Sequence, residues 1–560
     1  MDERRLLLAV ALSLLVLTAH SLLFPPPRRP KPVASPGAGG PAATEPARPE
    51  AVPRAAAAPA PAPAPGPVLT DDKERRVEVT SRDLSVAFTN RGARLVSWKL
   101  LRFADGRGRP EEMVQAAPSG PRPLDLETGD PALDSRLREA LFRPSTESLM
   151  VGESGPATLR FEFADSEVAG DKEVTFSEHG YLVAVKASVR KGGQPLGVKV
   201  IWGPGVGNPT DAEREVQGYQ PPQGVALGGG GVEHFPAAKL PPSGQTLGAV
   251  RWAGVETHYF AAVFVPPPSG AGVGLRPVSL PVHDDGKPNQ APLVSVDLGP
   301  GPEPALLYVG PKDYHEMSRA GHELARLVIW QMGDWIGPPI VVPLMGLVRW
   351  IHSHVGNYGW SIVLVTVLIN LAMAPFRHYS IANGMKMARI SPEMKVIQER
   401  YRKVPLMDPK RQEMQEEMAA LYAKHGMSMG TQMLVGCLPI LLTMPFLIAF
   451  YRVLTVSIEL RGASFLWITD LSQKDPLFLT PVLMGVSMFV MQRLTPSTMD
   501  PAQQRVMMIM PLMLSGMFLW APGGLNLYWL ASNLCSIAQQ TLTLRILKAH
   551  QPAAGGRKRK

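Results

Sequence analysis

The last third of the chain, from about Trp330 onward, carries apolar stretches of membrane-crossing length, separated by short loops and by one long basic insert, residues 377–430. Hydrocarbon offers a backbone no hydrogen-bond partners, so a crossing segment must satisfy its own bonds as a helix or a closed barrel. A helix needs about 20 apolar residues to do so. The chain therefore reads as a polytopic helical membrane protein. Apolar runs at 358–376, 433–454, 477–492, 506–520 and 525–544 predict five spans, and the run 6–24 behind the basic start Met1 to Arg5 predicts a sixth. That first run ends in Leu22, Leu23, Phe24 and Pro25 rather than in a small-x-small cleavage site, so it reads as an uncleaved anchor.

Charge orients these spans. Lysine and arginine crowd into 377–424 and the tail 555–560, and two arginines flank the loop 493–505. The loop 455–476 instead sets Glu459, Asp470 and Asp475 against Arg461 and Lys474. All the basic segments fall on one side, which predicts that both termini are cytoplasmic and that the region after the first span lies outside. The net charge of +9 is thus a topology signal rather than a nucleic-acid footprint. Both cysteines, Cys437 and Cys535, fall in predicted spans, so the soluble region has no disulfide to draw on.

Composition divides the chain into an anchor (1–24), a Pro/Ala-rich linker (25–70), a soluble domain on the outer side (71–313), an interfacial amphipathic helix (314–350), a helical core (351–547) and a basic tail (548–560). The linker has no means of building a core and should behave as a semi-extended spacer. From 71 to 311 short alternating runs such as 84–89, 159–163 and 181–189 are punctuated by Gly and Pro, the pattern of an antiparallel β-sandwich. Gly228 to Gly231 lacks a following Gly-Lys-Ser/Thr, so it reads as a loop and not as a phosphate cradle. In the interfacial segment Leu324, Leu327, Val328 and Met332 recur at helical spacing near Trp330, Trp335 and Trp350, which predicts a helix lying on the outer membrane face.

The insert 377–430 reads as a cytoplasmic helical hairpin, with Ser391-Pro392 and Asp408-Pro409 as helix starts on either side of a break at Val404-Pro405. Of 26 methionines, 22 lie from Met332 onward, and Met385, Met387, Met394, Met407, Met414 and Met418 cluster in the hairpin. Flexible thioethers suit surfaces that receive varied apolar partners. Thr366, Asn370, Thr443, Gln492, Asn526, Ser532, Asn533, Gln539 and Gln540 put hydroxyls and amides inside the spans, while Pro439, Pro445, Pro481 and Pro511 predict kinks. Some of these polar groups serve helix-to-helix hydrogen bonds and the rest line a wet cavity. Catalytic signatures do not occur, no cofactor is implied, and His352 and His354 lack carboxylate or thiol partners at metal-ligand spacing. The spans carry no Asp or Glu of the kind proton coupling needs.

Several segments resemble the YidC membrane protein insertases: 350–362 leading into the second span, Pro439 with Met444-Pro445, Trp467 to Ser472, Gln492 to Pro496, and Asn526 to Asn533. Asn90 to Gly92, Trp252, Tyr259-Phe260 and Tyr308 to Pro311 resemble the Gram-negative form of that family. The resemblance implies an all-α bundle of six transmembrane helices, five of them forming the insertase core, with an all-β periplasmic supersandwich. It further implies a hydrophilic groove, open to cytoplasm and lipid, that inserts nascent inner-membrane proteins alone or with the Sec translocon.

Aligned on the second span, Thr366 falls at a groove threonine, and Asn370 stands where the family usually keeps an arginine. Arg377, nearly two turns on, lies on almost the same face about 10 Å nearer the cytoplasm and is a candidate substitute. The expected groove is Thr366, Asn370, Arg377, Gln492 and Ser532, braced by Tyr528 and Trp529. The expected greasy face for the apolar part of a substrate is Met444, Phe446, Met510 and Met513. The basic hairpin and tail are expected to meet the ribosome, Sec partners or anionic lipid of the bilayer. Two other readings stand beside this one, a small-solute channel or transporter and a membrane-anchored periplasmic scaffold.

Overall fold

The computed structural model describes residues 68–115, 120–152, 155–268, 272–280, 289–299, 303–329, 337–402, 404–405, 408–426, 444–455, 457–495 and 501–549. The first expected span, the linker up to residue 67, Trp330, Met332 and Trp335 of the interfacial segment, Met407 of the hairpin, residues 427–443 up to and within the third expected span, and the tail from residue 550 lie outside them.

Alternating patterns become strands from Arg76 to Pro311. Along Val168–Phe176 every second side chain is buried, as period-2 geometry requires when one face meets a core. Among the described residues, one ten-stranded sheet and two five-stranded sheets build the domain. The middle of the large sheet runs antiparallel through Trp252–Glu256, Phe260–Val265, Ala305–Pro311, Leu182–Lys191, Val168–Phe176 and Ala157–Ala164. A parallel pair joins Arg76–Thr80 to Ser148–Met150. Between the sheets lies one apolar core, in which Trp98 and Trp202 meet edge to face at 5.9 Å. The Asn90 turn is fixed from within: its Oδ1 accepts from the Arg75 N–H at 2.7 Å, and its Nδ2 donates to Asp71 and to the Lys73 carbonyl. Gly92 completes the turn at φ +70°, where a Cβ would strike the Arg138 carbonyl oxygen at 2.7 Å.

The amphipathic helix expected over 314–350 is broken into pieces. Tyr314–Ala320 ends at Gly321 with φ +77°, a short turn Arg326–Ile329 follows, and a π-turn at Gly337–Val341 leads into α1, Val342–Val355. Met317, Leu324 and Leu327 are fully buried in the β-domain core. Leu324, Leu327 and Val328 of the apolar stripe are therefore used by the sandwich, and the placement of Leu324 and Leu327 on a membrane face is corrected. Gly321, in a conformation that favours glycine, stops the first helix before its face can continue to Leu324 and Leu327.

The remaining helices are α2 (Tyr358–Arg400), α3 (Lys410–Lys424), α4 (Met444–Thr455), α5 (Leu479–Leu494), α6 (Pro501–Met517) and α7 (Gly523–Ala549). Asn357 caps α2 through Oδ1, which accepts from the Trp360 N–H. This helix runs 43 residues from the expected second span into the expected hairpin without a stop, with Pro375 and Pro392 inside it. The expected helix start at Ser391-Pro392 is corrected accordingly. A proline costs one backbone bond, and the long-chain and small helix formers around it, Met385 to Arg389 and Glu393 to Arg400, carry the helix through. On the other arm Asp408 Oδ1 accepts from the Lys410 N–H at 3.0 Å at the head of α3. Arg400 and Tyr401 tie the arms together through Glu417, and the Tyr422 hydroxyl donates to the Met394 sulfur at 3.5 Å.

Among the described residues one helix, α2, is long and apolar enough to cross a bilayer, while α4, α5 and part of α6 are shorter apolar helices. They share a second core with α1 and α7 that includes Leu344, Ile362, Phe450, Met484, Phe518 and Leu525.

The sandwich and the helices meet at the 3₁₀ turn Ile458–Leu460. Ile458 packs into the β-domain core and Leu460 into the helical core. Next to them Arg461 donates to Glu111 at 2.6 Å and to Glu213 at 2.5 Å, and Glu459 pairs with Arg349. His258 Nε2 meets the Thr455 carbonyl at 2.7 Å, and the Gln217 N–H donates to the Trp520 carbonyl at 3.0 Å.

Candidate functional site

α7 packs along both α2 and α5, and α4 closes a recess on the α2–α7 side. Its walls are Ile369, Asn370, Met373 and Arg377 from α2, Phe446 and Leu447 from α4, and Tyr528, Trp529 and Ser532 from α7. The recess is open and holds about 170 Å³, room for several waters against the ~10–15 Å³ that one water centre requires. Aromatic stacking sets its walls: the Tyr528 ring lies on Phe450 at 4.2 Å between centroids, and Trp529 meets Phe518 edge on at 4.8 Å.

Its polar groups are few and specifically placed. Asn370 is 7% exposed, and its Nδ2 donates to the Thr366 carbonyl at 2.8 Å. Its Oδ1 is buried without a hydrogen-bond partner among the described residues. Arg377 donates from Nη1 to the Ser536 hydroxyl, and that hydroxyl donates in turn to the Ser532 carbonyl at 2.7 Å. No described carboxylate is paired with Arg377.

The structure thus brings together Asn370, Arg377, Tyr528, Trp529 and Ser532 of the expected groove, and adds Phe446 from the expected greasy face. Thr366 stands behind the wall, fully buried, with its hydroxyl donating to the Ile362 carbonyl at 2.7 Å. Gln492 lies at the end of α5 outside the lining, half-buried, with a buried and unpartnered Oε1. Met444, Met510 and Met513 are exposed and do not line the recess either, Met513 at 71%.

Other polar side chains of the expected spans join helices: Asn533 donates to the Ser487 hydroxyl at 3.0 Å, Gln539 to the Ala374 carbonyl at 2.8 Å, and Gln540 to the Thr495 hydroxyl at 3.2 Å. His352 stacks on Tyr358 at 3.7 Å, and no cluster of three metal-ligating side chains occurs among the described residues. Sequence reasoning missed Ser536, Ile369, Met373 and Leu447. For Ser536 a signal existed in its four-residue spacing from Ser532, which puts the two on one helix face.

The 60Kd inner membrane protein family matches residues 350–550, and the YidC periplasmic domain family matches residues 76–343. The membrane protein insertase YidC of Citrifermentans bemidjiense is 31% identical over 553 residues, covering 96% of this chain and 98% of that protein. That of Maridesulfovibrio salexigens is 30% identical over 567 residues, covering 98% of this chain and all of that protein. Among solved structures, an active YidC insertase with its first transmembrane domain resolved aligns over 84% of this chain and 93% of its own, at 17% identity and a TM-score of 0.32.

Proposed function

The chain belongs to the YidC family of membrane protein insertases, and on that premise we propose that the recess between α2, α4 and α7 is the route by which a polar stretch of nascent chain enters the membrane. The protein's task is physical: it moves segments of nascent membrane proteins into a bilayer. In intact hydrocarbon a charged side chain costs roughly 3 kcal/mol or more at mid-depth. A water-holding notch removes part of that cost, because the segment keeps hydrogen-bond partners over part of the crossing. The observation that carries this reading is the pairing of an unsatisfied Asn370 Oδ1 and a carboxylate-free Arg377 with the apolar walls Ile369, Met373, Phe446 and Leu447 in one open recess.

In this reading six spans cross the inner membrane, both termini are cytoplasmic, and the β-domain is periplasmic. The apolar part of the substrate leaves along the exposed methionines Met444, Met510 and Met513, with Phe446 at the boundary between notch and lipid. Thr366 supports the notch from behind through its place on α2 rather than touching the substrate. The basic hairpin around α3 receives the ribosome or a Sec partner, since clustered cations favour RNA and anionic lipid.

Photocrosslinking from residue 370 and residue 444 to a stalled nascent membrane protein tests this. Adducts at 370 with the polar flank and at 444 with the apolar span are expected. Failure of residue 370 to capture either segment in an active protein would refute the route.

A further inference from the structure

We propose that Ser536 is a positioning residue that parks the Arg377 guanidinium, so that an acidic side chain entering the recess must take Arg377 from Ser536. The proposal rests on the recess being the substrate route. Ser536 sits one turn beyond Ser532 on α7, and its hydroxyl proton is committed to the Ser532 carbonyl at 2.7 Å. That leaves the oxygen lone pairs facing outward, and Arg377 Nη1 donates into them. The hydroxyl is thus oriented as an acceptor before the arginine arrives.

A guanidinium carries five N–H donors in a planar fork and pairs best with two carboxylate oxygens. A lone hydroxyl satisfies it weakly, because a charge-assisted bond to an anion is roughly twice as strong as one to a neutral acceptor. Among the described residues no carboxylate competes for it. The parked state is therefore poised for exchange: Arg377 remains hydrogen-bonded at rest and is released to a stronger acceptor.

The deeper contact has the opposite polarity. Asn370 is seven residues before Arg377, about 10 Å deeper along the helix axis, and it presents an unpartnered oxygen. A carboxylate finds no partner in that oxygen, whereas a hydroxyl, an amide N–H or an ammonium does. The recess thus holds acidic groups near Arg377 and accepts hydrogen-bond donors further in, and Ser536 sets how readily the outer contact is made.

The test uses the full chain and two single-span substrates that differ only in carrying two Asp or two Asn in the translocated flank, with the ratio of their insertion rates as the readout. Ser536→Ala removes the parking site and is expected to raise the Asp-to-Asn ratio by about fivefold, the effect of one side-chain hydrogen bond at about 1 kcal/mol. Ser536→Thr keeps the hydroxyl and should restore the original ratio. Arg377→Ala should lower the ratio and abolish the effect of Ser536→Ala in the double variant. A ratio unmoved by Ser536→Ala, or an effect that persists without Arg377, overturns the proposal. Crosslinks from residue 370 are read in parallel: if they form while the ratio stays fixed, only the parking role fails, and if neither substrate is captured, the route itself fails.

Discussion

Glu459 and Arg461 stand two residues apart on one turn and bind to different sides of the junction, Glu459 to Arg349 of α1 and Arg461 to Glu111 and Glu213 of the β-sandwich. Their neighbours alternate in the same way, Ile458 into the β core and Leu460 into the helical core. Arg349 also reaches Asp313 at 2.8 Å, which closes the junction from the chain's own exit from the sandwich. A four-residue stretch thus fastens two bodies by packing and by charge at once.

Arg461 is the point where that fastening is most exposed to a single change. Its side chain is 9% exposed and its partners Glu111 and Glu213 are 2% and 5% exposed, and the guanidinium also lies over the Phe260 ring at 5.4 Å. Arg461→Met should cost about 3–5 kcal/mol, because two carboxylates stay buried without their cation. Adding Glu111→Gln and Glu213→Gln should recover most of the loss. Denaturant unfolding of the purified chain measures both, and a triple variant no more stable than Arg461→Met would contradict this account.

His258 makes the same junction sensitive to acid. Burial, aided by nearby Lys312 and opposed by the bond to Thr455, pushes its pKa down to about 4. Nδ1 accepts from the Gln220 N–H at 3.3 Å, which leaves the proton on Nε2 to donate to the Thr455 carbonyl. The unfolded chain binds the extra proton near pH 6.5 and the folded chain near 4, so stability falls as pH drops through that window, by on the order of 1–3 kcal/mol. Unfolding free energies between pH 7 and 4.5 should carry this slope, and His258→Gln should lessen it. A histidine NMR titration placing His258 near 6.5 would remove the basis for the prediction.

Lys172 predicts a slope at the other end of the scale. It is fully buried in the sandwich, donating to the Leu124 carbonyl at 2.6 Å and the Ala93 carbonyl at 2.7 Å, and burial pushes its pKa down to about 7 although Asp125 opposes the shift. Between about pH 7 and 10 the unfolded chain holds the proton that the folded chain releases, so the sandwich gains stability as pH rises. Hydrogen exchange in strand Val168–Phe176, corrected for intrinsic rates, should slow relative to Lys172→Met over that range. Equal pH dependence in the two proteins would count against it.

The fold was legible wherever a single period governed a segment. Alternation in 159–163 and 181–189 marks strands because each needs only one buried face, and the run 358–376 marks a helix because hydrocarbon admits little else. Leu324 and Leu327 misled because helical spacing reports an apolar stripe without naming what covers it, and here the sandwich does. Ser391-Pro392 misled because a local cap signal competes with the helix already formed by Met385 to Arg389. At the site, Asn370 and Ser532 were legible as polar groups on predicted spans, and Arg377 as the first residue of the basic insert, nearly two turns beyond Asn370 on the same face. The roles of Thr366 and Ser536 were not, since whether a hydroxyl bonds its own helix or a neighbour's side chain depends on packing.

Gly359 gives the last prediction, on how the loop after α4 seats against α2. It is the second residue of α2, and a Cβ built there would fall 2.2 Å from ring atoms of Phe465. Phe465 is 7% exposed and meets Trp360 edge on at 5.4 Å, so its ring fills the space that a side chain at 359 would need. Alanine is the better helix former by up to about 1 kcal/mol, which alone would make Gly359→Ala stabilising. Overpacking against an aromatic ring costs about 1–3 kcal/mol, so the net change should be a loss. Phe465→Leu in the Gly359→Ala background should return part of it by opening room beside α2. Thermal unfolding of the detergent-solubilised chain decides the sign: a raised midpoint for Gly359→Ala alone would mean that the ring gives way freely and that the loop is not seated on this contact.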